Sequence, residues 1–222
     1  MTDDLYLDIG NTNTKWKFHN NYFLESSNTF DFNILPLAST IWVSCVSSRR
    51  FENVPSNVFF IEAESKYKSL LNSYQETQTL GADRWMSMIA CYEMYNKNSF
   101  ITIDIGSAVT IDLVDSLGNH QGGLIIPGLQ KIRETFNFSE NHIENLHSLG
   151  DSTQQGWSIG TMSLIVNFIN LKVNELKIKF PSAPIFISGG GFEDLKNFIQ
   201  FPYSYHRNLV LDGLEYYVNN MG

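Results

Sequence analysis

At 222 residues, with 43% hydrophobic and 17% charged side chains, the chain is a globular protein able to bury a core as one domain or two small ones. A net charge of −8 with no dense Lys/Arg run argues against nucleic acid as a partner, since such binding draws on phosphate neutralisation, but leaves room for a nucleotide held by a few placed donors. Cys45 and Cys91 are too few for a disulfide framework, no apolar run approaches the ~18 residues of a membrane span, and no signal-peptide pattern opens the chain. The expected setting is the cytoplasm, away from membranes.

In chain order, residues 5–9 alternate as a strand that ends in a tight turn at 10–13. Thr14, Trp16 and Phe18 then alternate with Lys15 and Lys17 as a second strand, and 19–21 turn into a third at 22–26. From 82 to 96, Trp85, Met88, Ile89 and Tyr92 share one helix face, with Trp85 and Tyr92 read as core. The chain then returns to strands at 101–105, 109–114 and 120–126, with a turn at 115–119. A long helix is predicted over 153–179, where Leu164, Ile165, Phe168, Ile169, Leu171 and Leu176 make a stripe wide enough for burial on two sides, as at a subunit contact. A buried strand at 185–188, a glycine turn at 189–191 and a helix at 192–200 follow.

The first element occurs twice. Residues 5–14 (LYLDIGNTNT) align without gaps on 101–110 (ITIDIGSAVT), with Asp8/Asp104, Ile9/Ile105, Gly10/Gly106 and Thr14/Thr110 identical, and each copy leads into a strand meander. The short polar stretch at 96–99 is the best boundary, giving halves at 1–97 and 98–222.

A strand ending in Asp-x-Gly has a chemical reading. Gly10 is expected to reverse the chain at positive φ and point backbone N–H groups into an anion nest, with Asn11, Thr12 and Lys15 adding donors. A carboxylate beside phosphate repels it unless a cation intervenes, so Asp8 points to a Mg²⁺–nucleotide complex. The second copy offers Gly106, Ser107, Ala108 and Thr110 to the phosphate chain, and Asp104 as a second carboxylate. Either turn alone is more readily a hairpin with an Asx interaction; two copies facing a common cleft shift the balance toward a triphosphate site. P-loop and dinucleotide fingerprints are missing, and His19, His120, His142, His147 and His206 show no metal-ligand spacing and no triad, with His142 and His147 expected at the surface.

Asp8 to Thr14, the GADR run at 81–84, Asp104 to Thr110 and GLIIPG at 123–128, with 152–160, 188–191 and LVLDGL at 209–214, occur in the order of the motifs of type III pantothenate kinases, which the chain resembles over nearly its whole length. The resemblance implies an α/β, duplicated ribonuclease-H-like fold of the actin/Hsp70/acetate and sugar kinase superfamily. It implies a homodimer that phosphorylates pantothenate with ATP, Mg²⁺ and a monovalent cation, K⁺ or NH₄⁺. By position, Asp83 is implied as the general base, Tyr74, Gly81, Ala82 and Arg84 as pantothenate contacts, Thr153 as a contact reaching the partner's site, Asp104 as the monovalent-cation ligand and Ser107 as an ATP contact. Thr77 stands where a Pro is common, and Ser107 where a Thr is.

Read on its own residues, Asp83 opens a helix whose dipole stabilises its ionised form, so capping is the competing role. Phosphoryl transfer tolerates such a base, because its loose transition state asks for positioning more than early deprotonation. Glycines 189–191 suit approach by adenine or ribose, or merely close a turn. Rival functions are a regulatory binding protein on the same scaffold and a phosphatase or NTPase.

Overall fold

The computed structural model describes residues 3–47, 49–95, 98–139, 143 and 145–221. Strands β1 (Asp4–Ile9), β2 (Asn13–Phe18) and β3 (Asn21–Ser26) form an antiparallel meander, and β4 (Thr40–Cys45) and β5 (Val58–Ile61) add in parallel on the other side of β1, giving the order β3-β2-β1-β4-β5. A small hairpin, β6 (Lys66–Tyr67) and β7 (Leu70–Leu71), precedes helix α1 (Ala82–Tyr95). Next come β8 (Phe100–Ile105), β9 (Ala108–Val114) and β10 (His120–Pro127), then α2 (Leu129–Arg133), α3 (Thr153–Lys179), β11 (Ile185–Ser188), α4 (Phe192–Leu195), β12 (Ser204–Tyr205) and α5 (Leu209–Asn219). The second sheet runs β10-β9-β8-β11-β12, with β11 parallel to both β8 and β12. Each sheet therefore reads third, second, first, fourth, fifth in its own strands, so the duplication seen at 5–14 and 101–110 extends to sheet topology.

The chain divides into two compact units: 1–100 with 112–122 and 208–222, and 101–111 with 123–207. In the first unit, β1 buries Leu5, Leu7 and Ile9 against Phe30, Phe32, Ile41 and Val43, at ~1.5–3 kcal/mol per fully buried side chain. Between β2 and β3, His19 and Asn20 both take positive φ (47° and 63°), the mirror-image turn that suits a two-residue hairpin. Lys17, on the alternate positions of β2 with Lys15, is buried and reaches Glu215 of α5 at 2.6 Å. That pairing accounts for a cation inside the unit.

Helices α1 and α5 pack on each other and on β4, and α5 also on β1. Trp85 and Tyr92 are core, as expected. The helices approach so closely at Gly213 that a Cβ there would strike the Met86 backbone carbonyl. Alanine gains about 1 kcal/mol over glycine in a helix interior, but overpacking against main chain costs roughly 1–3 kcal/mol or more. Steric cost wins, and Gly213→Ala is expected to lower the thermal midpoint by several degrees in a calorimetric scan.

In the second unit, α3 spans the predicted 153–179, its start capped by Ser152, whose hydroxyl accepts the Gln155 N–H at 3.3 Å. Ile165, Ile169 and Val173 are buried on one side, whereas Leu164, Leu171 and Ile178, seven residues apart in turn, are 58%, 56% and 82% exposed. The helix predicted over 192–200 is shorter: α4 ends at Leu195 and continues only as a 3-10 turn to Phe198. Asn170 captures the Gln200 N–H at 3.1 Å, and Pro202 disfavours helical backbone at Phe201.

Candidate functional site

In the first unit, Asp8 is the penultimate residue of β1 and the exposed Asn11 and Thr12 form the turn into β2, where Lys15 is half-buried. Gly10 does not take the expected positive φ; among the described glycines only Gly118, Gly122 and Gly189 do. Its amide is bound to the Asn13 carbonyl at 3.0 Å, and a Cβ would lie 3.0 Å from the same oxygen. Glycine is needed here for closeness, and its N–H closes the turn instead of facing an anion. Ser27 fastens the turn from beneath: its hydroxyl donates to the Gly10 carbonyl at 2.8 Å and pairs with the Thr14 hydroxyl at 2.9 Å. Arg49 in turn donates to the Ser27 carbonyl at 2.6 Å.

The second unit repeats the arrangement with Asp104, Gly106, Ser107, Ala108 and Thr110. The Gly106 amide also bonds within its own turn, to the Ala108 carbonyl at 2.9 Å, two residues on where Gly10 reaches three. Gly128, at the end of GLIIPG, donates its N–H to the Ser107 carbonyl at 2.9 Å and sits so close that a Cβ would strike the Gly106 carbonyl. Gly189 and Gly191 are packed on Ile105, and Gly189 has φ 98°, so these two close a turn; Gly190 faces open space. Of the three glycines, only Gly190 has room for a ligand alongside.

The duplication includes a serine that the sequence reading missed. Asp8 is in register with Ser44 across β1 and β4, and Asp104 with Ser188 across β8 and β11. Ser188 donates to Asp104 Oδ1 at 2.7 Å, whereas the Ser44 hydroxyl is buried with no hydrogen-bond partner among the described residues. An orphaned buried hydroxyl one strand away from a carboxylate suits the hydration shell of a cation. Among the described residues no three His, Cys, Asp or Glu side chains converge as a metal cage.

The remaining predicted residues lie in the first unit, except Thr153, which is exposed at the start of α3. Ala82 is buried. Gly81 gives its carbonyl to the Trp85 N–H, and Asp83 Oδ1 accepts the Arg84 N–H at 2.7 Å, so Asp83 does stabilise the helix start. The same Oδ1 occupies the space where a Gly81 side chain would be. A bare Cα at 81 is thus what lets the carboxylate lie back over the helix start.

Arg84 is buried, with Nε and Nη2 forked onto Asp112 at 2.8 and 2.6 Å and Nη1 donating to the Tyr74 hydroxyl at 3.1 Å. His120 Nε2 contacts Asp112 Oδ1 at 2.9 Å, and its Nδ1 meets the Ser73 hydroxyl at 3.2 Å. His120 thus belongs to a buried hydrogen-bond cluster that spacing along the chain did not reveal, while His147 is exposed and His142 lies outside the described residues. Burial alone pushes the Asp112 carboxyl up, but hydrogen bonds from His120 and Arg84, with the Arg84 charge, hold it below the usual range. A depressed folded pKa gives stability that is present above the unfolded pKa of about 3.9 and is lost as pH falls through the folded value. Wild type is therefore expected to lose stability in acid more steeply than Asp112→Asn, as read by urea unfolding between pH 7 and pH 3.

Two sheets of identical strand order, each with an Asp-x-Gly turn after its first strand, define a duplicated ribonuclease-H-like fold of the actin/Hsp70/sugar-kinase type. The fold recurs in a crystallised Campylobacter jejuni protein described as a Baf family transcriptional activator (TM-score 0.63, 24% identity, 97% of each chain). It recurs too in a Sinorhizobium meliloti protein described as a 2-dehydro-3-deoxygalactonokinase (TM-score 0.61, 9% identity, 98% of this chain and 96% of that one). Residues 43–174 match the sequence profile of the family described as type III pantothenate kinase. The type III pantothenate kinase of Alcanivorax borkumensis is 30% identical over 95% of this chain and 96% of its own. The chain belongs to the type III pantothenate kinase family.

Proposed function

We propose that the protein transfers the terminal phosphoryl group of ATP to the 4′ hydroxyl of pantothenate, the first committed step of coenzyme A synthesis. The observation that carries this reading is the duplicated Asp-x-Gly turn, found twice on sheets of one topology in a chain of this family. In this reading each half, 1–97 and 98–222, contributes one turn. The first offers phosphate the amides and side chains of Asn11 and Thr12, close approach at Gly10, and the Lys15 charge. The second offers Gly106, Ser107, Ala108 and Thr110.

Asp8 is assigned to Mg²⁺, which when bound neutralises phosphate charge. Asp104, fixed by Ser188, is assigned to a monovalent cation, K⁺ or NH₄⁺. Pantothenate is assigned to Tyr74, the backbone at Gly81 and Ala82, and Arg84. Because the Arg84 fork is engaged by Asp112, this arginine acts through its remaining Nη1 edge. Asp83 orients the 4′ hydroxyl and accepts its proton late in the transfer.

A homodimer fits α3, whose Leu164, Leu171 and Ile178 repeat every seven residues on the uncovered side, the spacing of a helix–helix seam. Thr153 at the start of that helix is then assigned to the pantothenate site of the partner subunit. Leu171→Glu is expected to convert a dimer to a monomer in analytical ultracentrifugation; an unchanged mass places the seam elsewhere. A reducing cytoplasm suits the two free thiols of Cys45 and Cys91. Incubating the protein with ATP, Mg²⁺, K⁺ and pantothenate should give 4′-phosphopantothenate by mass spectrometry. No product, with or without K⁺, would overturn the reading.

A further inference from the structure

Asp112 and His120 have no part in the phosphate turns, yet both are only 2% exposed, deeper than the residues assigned to pantothenate. The ion pair that Asp112 makes with Arg84 at this depth demands a reason, because desolvating both charges offsets most of their attraction and an apolar pair would hold the fold as well. Their geometry supplies one. Asp112 takes Arg84 through two parallel N–H bonds, the fork arrangement that fixes a guanidinium in plane as well as in place. It leaves Nη1 as the edge that reaches the Tyr74 hydroxyl. His120 shares Asp112 Oδ1 with Arg84 Nη2, and its ring lies nearly parallel to that of Tyr74, 18° apart with centroids 5.8 Å away. Ser73, the residue before Tyr74, completes the circuit at His120 Nδ1. Tyr74 is gripped on its ring by His120 and on its oxygen by Arg84, while remaining half-exposed.

Proton bookkeeping then fixes a direction. An ionised carboxylate only accepts, so His120 donates from Nε2, and a guanidinium only donates, so the Tyr74 oxygen is an acceptor toward Arg84. The tyrosine's own O–H must point elsewhere. We propose that Asp112 and His120 are positioning residues for the acceptor substrate, locking Arg84 so that the Tyr74 hydroxyl presents its proton to an acceptor oxygen, a carboxylate or amide carbonyl, on the molecule to be phosphorylated. This rests on the pantothenate kinase reading and deepens it: Arg84 serves by orienting Tyr74, and the specificity contact is a tyrosine O–H supported from behind by a buried carboxylate.

A double-mutant cycle tests it, with pantothenate KM, ATP KM and kcat as readouts. Tyr74→Phe and Asp112→Asn are each expected to raise pantothenate KM about tenfold, the loss of one hydrogen bond of ~1.4 kcal/mol, with ATP KM unchanged and kcat nearly so. Because both act through one hydroxyl, the double variant should be no worse than the weaker single. Asp112→Glu, which keeps the charge, should restore part of the lost affinity. Multiplicative effects in the double variant, or an Asp112→Asn that lowers kcat and leaves pantothenate KM alone, would overturn the proposal. Should Asp112→Asn fail to fold, His120→Gln with Tyr74→Phe gives the same cycle and is read the same way. Wild-type turnover separates the two levels: no phosphorylation of pantothenate removes the functional reading, whereas turnover with additive variants removes the clamp alone.

Discussion

Asp83→Asn is expected to reduce kcat by about 10²–10⁴-fold, the range for losing a positioned proton acceptor, while leaving the fold intact. The expectation of an intact fold comes from the helix start. Asparagine retains an oxygen able to accept the Arg84 N–H that Asp83 Oδ1 now takes, and the Trp85 N–H to Gly81 carbonyl bond does not involve the side chain. The negative charge, the proton affinity and one acceptor oxygen are lost, and α1 keeps its core face of Trp85, Met88 and Ile89. KM values for ATP and pantothenate should move far less than kcat, since an interaction made in the transition state is what has been removed. Unaltered turnover would assign Asp83 to helix capping alone, the competing role set by its place in the first turn.

Gly128→Ala is expected to damage the second phosphate turn, raising ATP KM at least tenfold and lowering stability by about 1–3 kcal/mol. Gly128 has φ −71° and ψ 167°, a conformation open to any residue, so backbone strain contributes nothing. The effect is steric: the added methyl would strike the Gly106 carbonyl and press on Ser107, main-chain atoms that move only if the turn moves. The turn is the part assigned to phosphate, and stability and ATP affinity should therefore fall together. Titration calorimetry with a nonhydrolysable ATP analogue, beside a melting curve, measures both. Native ATP affinity in the variant would separate the turn from nucleotide binding.

The sequence showed most where chemistry and periodicity coincide. Asp8 and Asp104 stand at matching strand ends within apolar alternation, and β1, β2, β3, α1, α3 and β11 follow their patterns nearly to the residue. The limits were those of distance along the chain. Asp112 and His120 lie eight residues apart on either side of the Asp115 turn, and neither belongs to a spacing motif. One signal was available: a carboxylate inside the apolar run 109–114 needs a partner if that strand is buried, and Arg84 was the cation already singled out nearby in function. Gly128 and Gly213 carry no local signature, because what demands a missing Cβ is backbone from a distant segment. At Gly10 the expected positive φ is absent and close approach to the Asn13 carbonyl is what requires glycine, since both demands select the same residue. The burial of Lys17 carries no local signal either, because its partner, Glu215, is almost the whole chain away.

Whether these residues make a kinase, and not a binding protein or a nucleotidase on the same scaffold, is tested most directly by ADP release from ATP with and without pantothenate, in Mg²⁺ and K⁺. Release should be slow alone, rise to saturation as pantothenate is added, and match phosphorylated product mole for mole. Release that ignores pantothenate, or none under either condition, would contradict the account.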